Sequence, residues 1–315
     1  MSNHTSFTNL NVVCLAGGVG GAKLADGLAR ILPPQNLTIV VNTGDDFQHL
    51  GLTICPDLDT VMYTLGQVAN QETGWGRSGE SWRTITAAVE LGGADWFRLG
   101  DLDIATHLVR TQLLQEGQSL TAVTRHLCHH FHIQPAVLPM SDQPAPTHIE
   151  SDGVIYPFQT WFVKERWQPP IHKIHLPEDV RATPQVTARL EKADLIIIAP
   201  SNPFVSIDPI LNAYPIRPII EDLPRAIVAV SPIIGGQAVK GPAAKMMEEM
   251  GMAVSATAVA DYYGDLIDGF VYDTQDAGLL EGRDLASLCV DTIMRTPADR
   301  ARLAQDMLDF ALELT

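Results

Sequence analysis

Positive charge is scarce in this chain. Of 315 residues only 21 are Lys or Arg against 37 Asp or Glu, a formal net charge of −16 at pH 7. Affinity for nucleic acid rests on neutralising phosphates with basic side chains, so a wide polyanion partner is excluded. A small phosphorylated ligand is not, because a few backbone amides and one metal ion bind it locally. Cysteine is equally sparse: Cys14, Cys55, Cys128 and Cys289, with no Cys-x-x-Cys pair. That spacing excludes a dense disulfide framework and fits the reduced thiols of a cytoplasmic protein. No apolar run nears the roughly 20 residues that span a bilayer, and residues 1–11 lack a basic segment followed by an apolar one. Neither a membrane nor a secretory route is expected. Several catalytic signatures are missing as well: no Gly-x-Ser-x-Gly elbow, no His-Glu-x-x-His, and no defensible Ser/His/Asp or Cys/His arrangement.

What is present is a folded α/β pattern. Hydrophobic residues make up 46% of the chain and charged residues 18%, which excludes disorder. Val12–Ala16, the amphipathic stretch Ala22–Leu32 and the β-rich run Leu37–Val41 read as strand, helix, strand. Leu195–Ala199 and Ala226–Val230 are continuous apolar runs, the mark of parallel strands buried on both faces. Helices are expected over Leu102–Gln115, Leu120–Phe131, Thr60–Val68 and Pro242–Met250. Short strands or a hairpin are expected at Val154–Tyr156 and Thr160–Val163. The fold class is therefore α/β, with a doubly wound, mostly parallel, Rossmann-like sheet. A core of about 11–100 and 190–315 carries an inserted helical and β-ribbon subdomain of about 101–189, all in one domain.

In such a sheet, ligands bind beyond the carboxyl ends of the strands. The loops there are Gly17-Gly18-Val19-Gly20-Gly21-Ala22-Lys23, Asn42–Asp46, Pro200-Ser201-Asn202-Pro203 and Ser231–Gly236, all small, polar or glycine-rich. The first suits a phosphate: glycine lets the backbone approach closely, and a helix start offers free amides. It is neither a Walker A loop nor a dinucleotide fingerprint, since Lys23 occupies the last glycine position counted from Gly18. A tight turn is the plainer reading. Asp45-Asp46, and Asp57 with Asp59 in Cys55-Pro56-Asp57-Leu58-Asp59-Thr60, either cap helices or hold magnesium, which prefers one or two carboxylates with waters and phosphate oxygens. For at least one of Asp101 and Asp103 a helix cap is the better reading. His126 and His130 share a helix face without a third ligand, so a solvated face is the better reading. Trp96 and Phe97 read as packing, whereas Trp75 and Trp82, in the polar stretch Gly74–Arg83, suit a flat ring-binding wall.

Taken together, Gly17–Lys23, Asn42–Asp46, Cys55–Thr60, Arg98–Asp101, Leu138–Asp142, Ala199–Pro203, Val230–Gly236 and Lys240–Lys245 resemble the 2-phospho-L-lactate transferase family, including its phosphoenolpyruvate-transferring members. The resemblance runs from about Asn11 to Asp273. It implies a magnesium-dependent step in making coenzyme F-420. A phospho-three-carbon-acid moiety moves from a guanosine diphosphate ester to the ribityl hydroxyl of a deazaflavin alcohol, and GMP leaves. It implies that Gly17, Gly18, Gly20, Gly21, Lys23, Ser201, Asn202 and Gly235 cradle the nucleotide and its diphosphate. It implies that Asp59 and Arg98 meet the deazaflavin; the flat wall read from the surroundings of Trp75 and Trp82 would then flank the ring. Asp59 and Asp45 are the catalytic candidates: Asp59 orients or deprotonates the hydroxyl, while Asp45, Asp46 and Asp57 hold Mg²⁺. A homodimer acting on small molecules is implied too. The His126–His132 segment is foreign to the family pattern.

Two rivals stand beside this reading. A nucleotide-sugar- or dinucleotide-binding regulator of a related family shares the glycine loop and the doubly wound core, but the Pro-Asp-Leu-Asp-Thr and Phe-Arg-Leu-Gly-Asp segments favour the transferase. A nicotinamide-dependent oxidoreductase fails on the broken fingerprint.

Overall fold

A computed structural model describes residues 7–314. Seven strands form its central sheet: β1 (Val12–Ala16), β2 (Leu37–Val41), β3 (Ala136–Pro139), β4 (Leu195–Ile198), β5 (Ala226–Val230), β6 (Gly269–Asp273) and β7 (Ala286–Val290). Their spatial order is β7-β6-β5-β4-β1-β2-β3, and every neighbouring pair is parallel. The chain builds outward from β1 to β3, returns to β4 beside β1, and then builds the other way. That reversal is the topological switch point of a Rossmann-like sheet, and it lies between β1 and β4.

Alternation within the strands explains the layers. Val13, Leu15, Val40, Ile196 and Ile198 face a core that holds Trp161, Val186, Phe204 and Met246. Val12, Cys14, Ala16, Ile39, Val41 and Ile197 face the opposite core with Leu24, Leu28, Leu58, Leu303 and Met307. Both faces are covered, as a parallel sheet requires. On the second face, helix α1 (Gly18–Ile31) lies so close to the long helix Pro297–Glu313 that a Cβ on Gly27 would sit 2.1 Å from the Arg300 carbonyl oxygen. Asp26 and Arg300, both buried, pair across that contact at 3.0 Å.

Four expected elements shift. Helix α1 begins at Gly18 rather than Ala22, so the glycines form its first turn. Helix α2 spans Pro56–Leu65, which puts Asp57 and Asp59 inside its first turn instead of ahead of it. Thr160–Val163, expected as a short strand or part of a hairpin, lies in a π-helical turn, Thr160–Lys164; Trp161 is fully buried there and donates from Nε1 to the Pro169 carbonyl at 3.0 Å. The stretch 101–189 supplies a strand of the central sheet, β3, besides a separate antiparallel sheet of Val154–Pro157, His148–Ser151 and Lys173–His175. Helix α3 (Arg83–Glu90) escaped the sequence reading because only Ile85 on it is buried. Two further helices, α4 (Asp101–Gln115) and α5 (Leu120–His130), form where the spacing indicated. Among the described residues no helix is long and apolar enough to cross a membrane.

Candidate active site

The glycine loop joins β1 to α1 at the switch point. Its glycines answer to different needs. A Cβ on Gly20 would sit 2.2 Å from the Pro200 carbonyl oxygen, and one on Gly21 2.8 Å from Ser201 Oγ, so these two let α1 pack against the loop after β4. Gly17 is pinned there as well: its amide donates to Ser201 Oγ at 3.1 Å, and the Ser201 hydroxyl donates back to the Gly17 carbonyl at 2.7 Å. Gly18 is in the left-handed region at φ +61°, and its amide donates to Asp57 Oδ1 at 2.7 Å. The remaining first-turn amides have no acceptor within the helix and add to its positive end.

Asn42, at the carboxyl end of β2, organises the acids. Its side-chain nitrogen faces Asp45 Oδ1 at 3.1 Å, Asp57 Oδ2 at 2.9 Å and the Val205 carbonyl at 3.1 Å, while its Oδ1 accepts from the Gly44 amide at 2.7 Å. Gln159 donates to the other oxygen of Asp45 at 3.2 Å. Every donor on this pair is uncharged. Burial, more than the hydrogen bonds from Asn42 and Gly18 offset, pushes Asp57 up to about 6. Burial, then the neighbouring Asp57, pushes Asp45 well above the usual carboxylate range. Burial also raises Asp46, against a hydrogen bond from the Cys55 thiol, and one Asp46 oxygen is buried without a partner.

These acids bear on magnesium. Among the described residues no group of three His, Cys, Asp or Glu side chains converges closely enough to hold a metal ion. The trio expected from the sequence therefore reduces to the Asp45 and Asp57 pair, with Asp46 turned toward Cys55. Two hard, desolvated carboxylates sharing one amide nitrogen, with only neutral donors around them, fit an ion that takes its other ligands from water and phosphate.

Asp59 belongs to a different environment. Its two oxygens meet the guanidinium of Arg110, Nη1 at 3.0 Å from Oδ2 and Nη2 in a short contact with Oδ1. Arg110 comes from α4 and is 1% exposed. Burial opposes its charge, yet Asp59 holds Arg110 well above its ordinary value. His107 lies beside both, with Nδ1 3.0 Å from Arg110 Nη1 and 3.6 Å from Asp59 Oδ2. Its Nε2 faces Asp103 Oδ1 at 3.3 Å, and Tyr63 donates to the same oxygen at 2.6 Å. Burial works against the Asp103 charge, but the close approach of His107 and the hydrogen bond from Tyr63 hold its carboxyl low. Sequence reasoning missed Arg110, His107 and Tyr63 and expected no more than a helix cap from the Asp101 and Asp103 pair. The signal was there, in polar residues at 103, 106, 107, 110 and 111 that share one helix face.

The aromatic loop closes the arrangement. Trp75 and Trp82 meet edge to face with ring centres 6.3 Å apart, and Arg98 lies 4.8 Å over the Trp82 ring. Glu80 fastens this loop to the start of α4, accepting the Leu102 and Asp103 amides at 2.8 Å each. At the other end, Lys240 Nζ reaches the Thr73 carbonyl at 3.4 Å and lies against Gly74, whose Cβ position is 3.7 Å from Val19 in the first turn of α1. The loop therefore spans from the glycine turn to α4.

Other expected ligands are engaged internally. Lys23 donates to the Met294 carbonyl at 2.8 Å, and burial, then nearby Arg300 and Lys240, lower its basicity. Asn202 caps the turn Pro203–Ile207 by accepting from the Phe204 amide at 3.0 Å. The Gly235 amide is held by Asp276 at 3.0 Å. The rings of His126 and His130 lie 4.5 Å apart on the exposed face of α5. Trp96 and Phe97 pack with Phe47 and His49.

The fold defines a Rossmann-like α/β protein, and known proteins resolve it further. A solved structure of a UPF0052 family member from Bacillus halodurans superposes with a TM-score of 0.64, covering 95% of this chain and 98% of that one at 16% identity, a likeness of fold alone. The family model for 2-phospho-L-lactate transferase CofD matches residues 12–298. A phosphoenolpyruvate transferase from Streptomyces griseus is 41% identical over 97% of this chain and 99% of its own length. A 2-phospho-L-lactate transferase from Methanospirillum hungatei is 38% identical over 94% and 99%. This chain belongs to the CofD family.

Proposed function

We propose that the chain transfers a phospho-three-carbon-acid moiety, phosphoenolpyruvyl or 2-phospholactyl, from a guanosine diphosphate ester to the ribityl hydroxyl of a deazaflavin alcohol, releasing GMP on the way to coenzyme F-420. Near-full-length likeness to relatives bearing both transferase names supports the reaction class. The observation that carries the site is the juxtaposition of the Asp45–Asn42–Asp57 cluster with the start of α1, joined by the Gly18 amide on Asp57.

In this reading the first turn of α1 binds the diphosphate, and Lys23 and Lys240 add positive charge near it. Asp45 and Asp57 would hold a magnesium ion, which when bound would neutralise diphosphate charge. Asp59 accepts the hydroxyl of the acceptor: a carboxylate has about four lone-pair sites, and Arg110 occupies two of them. Trp75, Trp82 and Arg98 flank the tricyclic ring. Such phosphoryl-type chemistry needs mainly positioning and charge neutralisation, and this set of residues supplies both. A homodimer, implied by the family resemblance, is checked by sedimentation velocity.

The test is GMP release by the purified chain given deazaflavin alcohol, Mg²⁺ and the guanylylated acid. Release coupled to a product carrying the phospho-acid supports the reading. Binding of a nucleotide sugar without any release sinks it in favour of a regulator.

A further inference from the structure

We propose that Arg110 and His107 are positioning residues that set Asp59 for the acceptor alcohol and tie its placement to the docking of the aromatic loop. This rests on reading Asp59 as the partner of the acceptor hydroxyl. A guanidinium has no acceptor, so the nitrogen of His107 that meets Arg110, Nδ1, is the accepting one, which leaves the ring proton on Nε2, 3.3 Å from Asp103 Oδ1 but without hydrogen-bond geometry. Asp103 is held in turn by the Tyr63 hydroxyl, and its amide by Glu80, which belongs to the loop bearing Trp82. The contacts thus run from that loop through Glu80, Asp103, His107 and Arg110 to Asp59.

Helix α4 is built for this at the expense of packing. Its inward face carries Asp103, Thr106, His107, Arg110 and Thr111, while Leu102, Leu108 and Val109 are 40%, 54% and 41% exposed. An amphipathic helix stabilising a core has the reverse pattern. Buried ion pairs are weak contributors to stability, and apolar side chains of similar volume often replace them without loss. A helix that breaks the rule on both faces at once, beside the acceptor's carboxylate, marks a functional constraint.

The experiment compares the full chain with Arg110→Lys, His107→Phe and Tyr63→Phe, measuring deazaflavin alcohol binding by its own fluorescence, donor-dependent GMP release, and melting. Arg110→Lys and His107→Phe should raise both the Kd and the KM for the alcohol at least tenfold and leave the KM for the donor within twofold. Tyr63→Phe, which removes one hydroxyl at the far end and spares the fold, should raise the alcohol Kd severalfold. In an Asp59→Asn background, Arg110→Lys should add nothing further, because the two act as one unit. Variants that melt earlier but bind the alcohol within twofold of the parent, or effects that add in the double variant, overturn the proposal. A parent that binds the alcohol yet releases no GMP overturns the proposed reaction alone. A parent that does not bind the alcohol overturns both.

Discussion

Asp57 and Asp59 lie two residues apart in the first turn of α2, each 5% exposed, and their surroundings are opposite. A helix turns about 100° per residue, so positions i and i+2 point about 200° apart. Asp57 is turned to the switch point, where Asn42 and Gly18 offer it neutral N–H groups. Asp59 is turned to α4 and meets a buried guanidinium. One carboxylate therefore still wants a cation from outside the chain, and the other has been given one by the chain. On the proposed reaction, that division would put the metal side and the acceptor side on a single tetrapeptide, Pro56–Asp59.

The largest expected effect comes from making the two environments alike. Arg110→Met removes the cation from Asp59 and leaves an uncompensated buried charge, which costs about 3–5 kcal/mol. Urea unfolding at neutral pH should show that loss as a lower midpoint. Adding Asp59→Asn to Arg110→Met should restore much of it, because the stranded charge is then gone. A small loss in the single variant would mean that water already reaches Asp59.

How much of this contrast could be read from the sequence depends on which contacts are local. The strands β1, β2, β4 and β5 and the loops at their carboxyl ends were legible, since continuous apolar runs and glycine clusters are properties of short segments. Asp45, Asp57 and Asp59 were legible as a group. Which of them keeps company with which was not: Asp59 meets Arg110 across 51 positions and Gly17 meets Ser201 across 184, and no local pattern encodes such pairings. The helix start at Gly18 was misread because glycine propensity argues against a helix, whereas packing against Pro200 and Ser201 demands it. α4 was recognised as a helix with its buried polar face unseen, because hydrophobic spacing directs attention to the face that here is exposed.

The next effect in size is the part of the pH slope of stability that Asp57 contributes. Its carboxyl ionises near 3.8 when unperturbed and is raised to about 6 in the fold. Below about pH 4 both states are protonated and the fold bears no penalty. Between about pH 4 and pH 6 the unfolded chain releases this proton while the folded one keeps it, so the contribution of Asp57 to stability falls, by about 3 kcal/mol, and levels off above, while Asp45 and Asp46, raised by burial as well, add slopes of their own. Asp57→Asn should flatten this part of the curve and make the metal-free protein more stable at pH 7, while abolishing transfer. Millimolar Mg²⁺ should return part of the lost stability to the parent above pH 6 and none to the variant. Parent and Asp57→Asn curves of equal slope between pH 4 and 6 would show that Asp57 is not raised by its surroundings and remove the contrast.

The smallest effects separate the glycines that serve the fold from the one that serves Asp57. Gly20→Ala drives a methyl group to within 2.2 Å of the Pro200 carbonyl oxygen, a backbone atom that cannot swing aside. Overpacking of that kind costs about 1–3 kcal/mol, and it should lower the melting temperature without a matching change in the KM for the donor. At Gly18 the same methyl meets nothing closer than Asp57 Oδ1 at 3.9 Å, so the cost comes from the backbone, which must hold φ +61°. For an L-residue that is about 1–2 kcal/mol, and relaxation of the strain carries the Gly18 amide away from Asp57. Gly18→Ala should therefore affect melting less than Gly20→Ala, yet weaken donor binding and shift the pH slope of Asp57 to higher pH, since one of its two neutral donors is lost. If both variants melt alike and bind the donor alike, the Gly18 amide plays no part in presenting Asp57, and the glycine loop is only a tight turn.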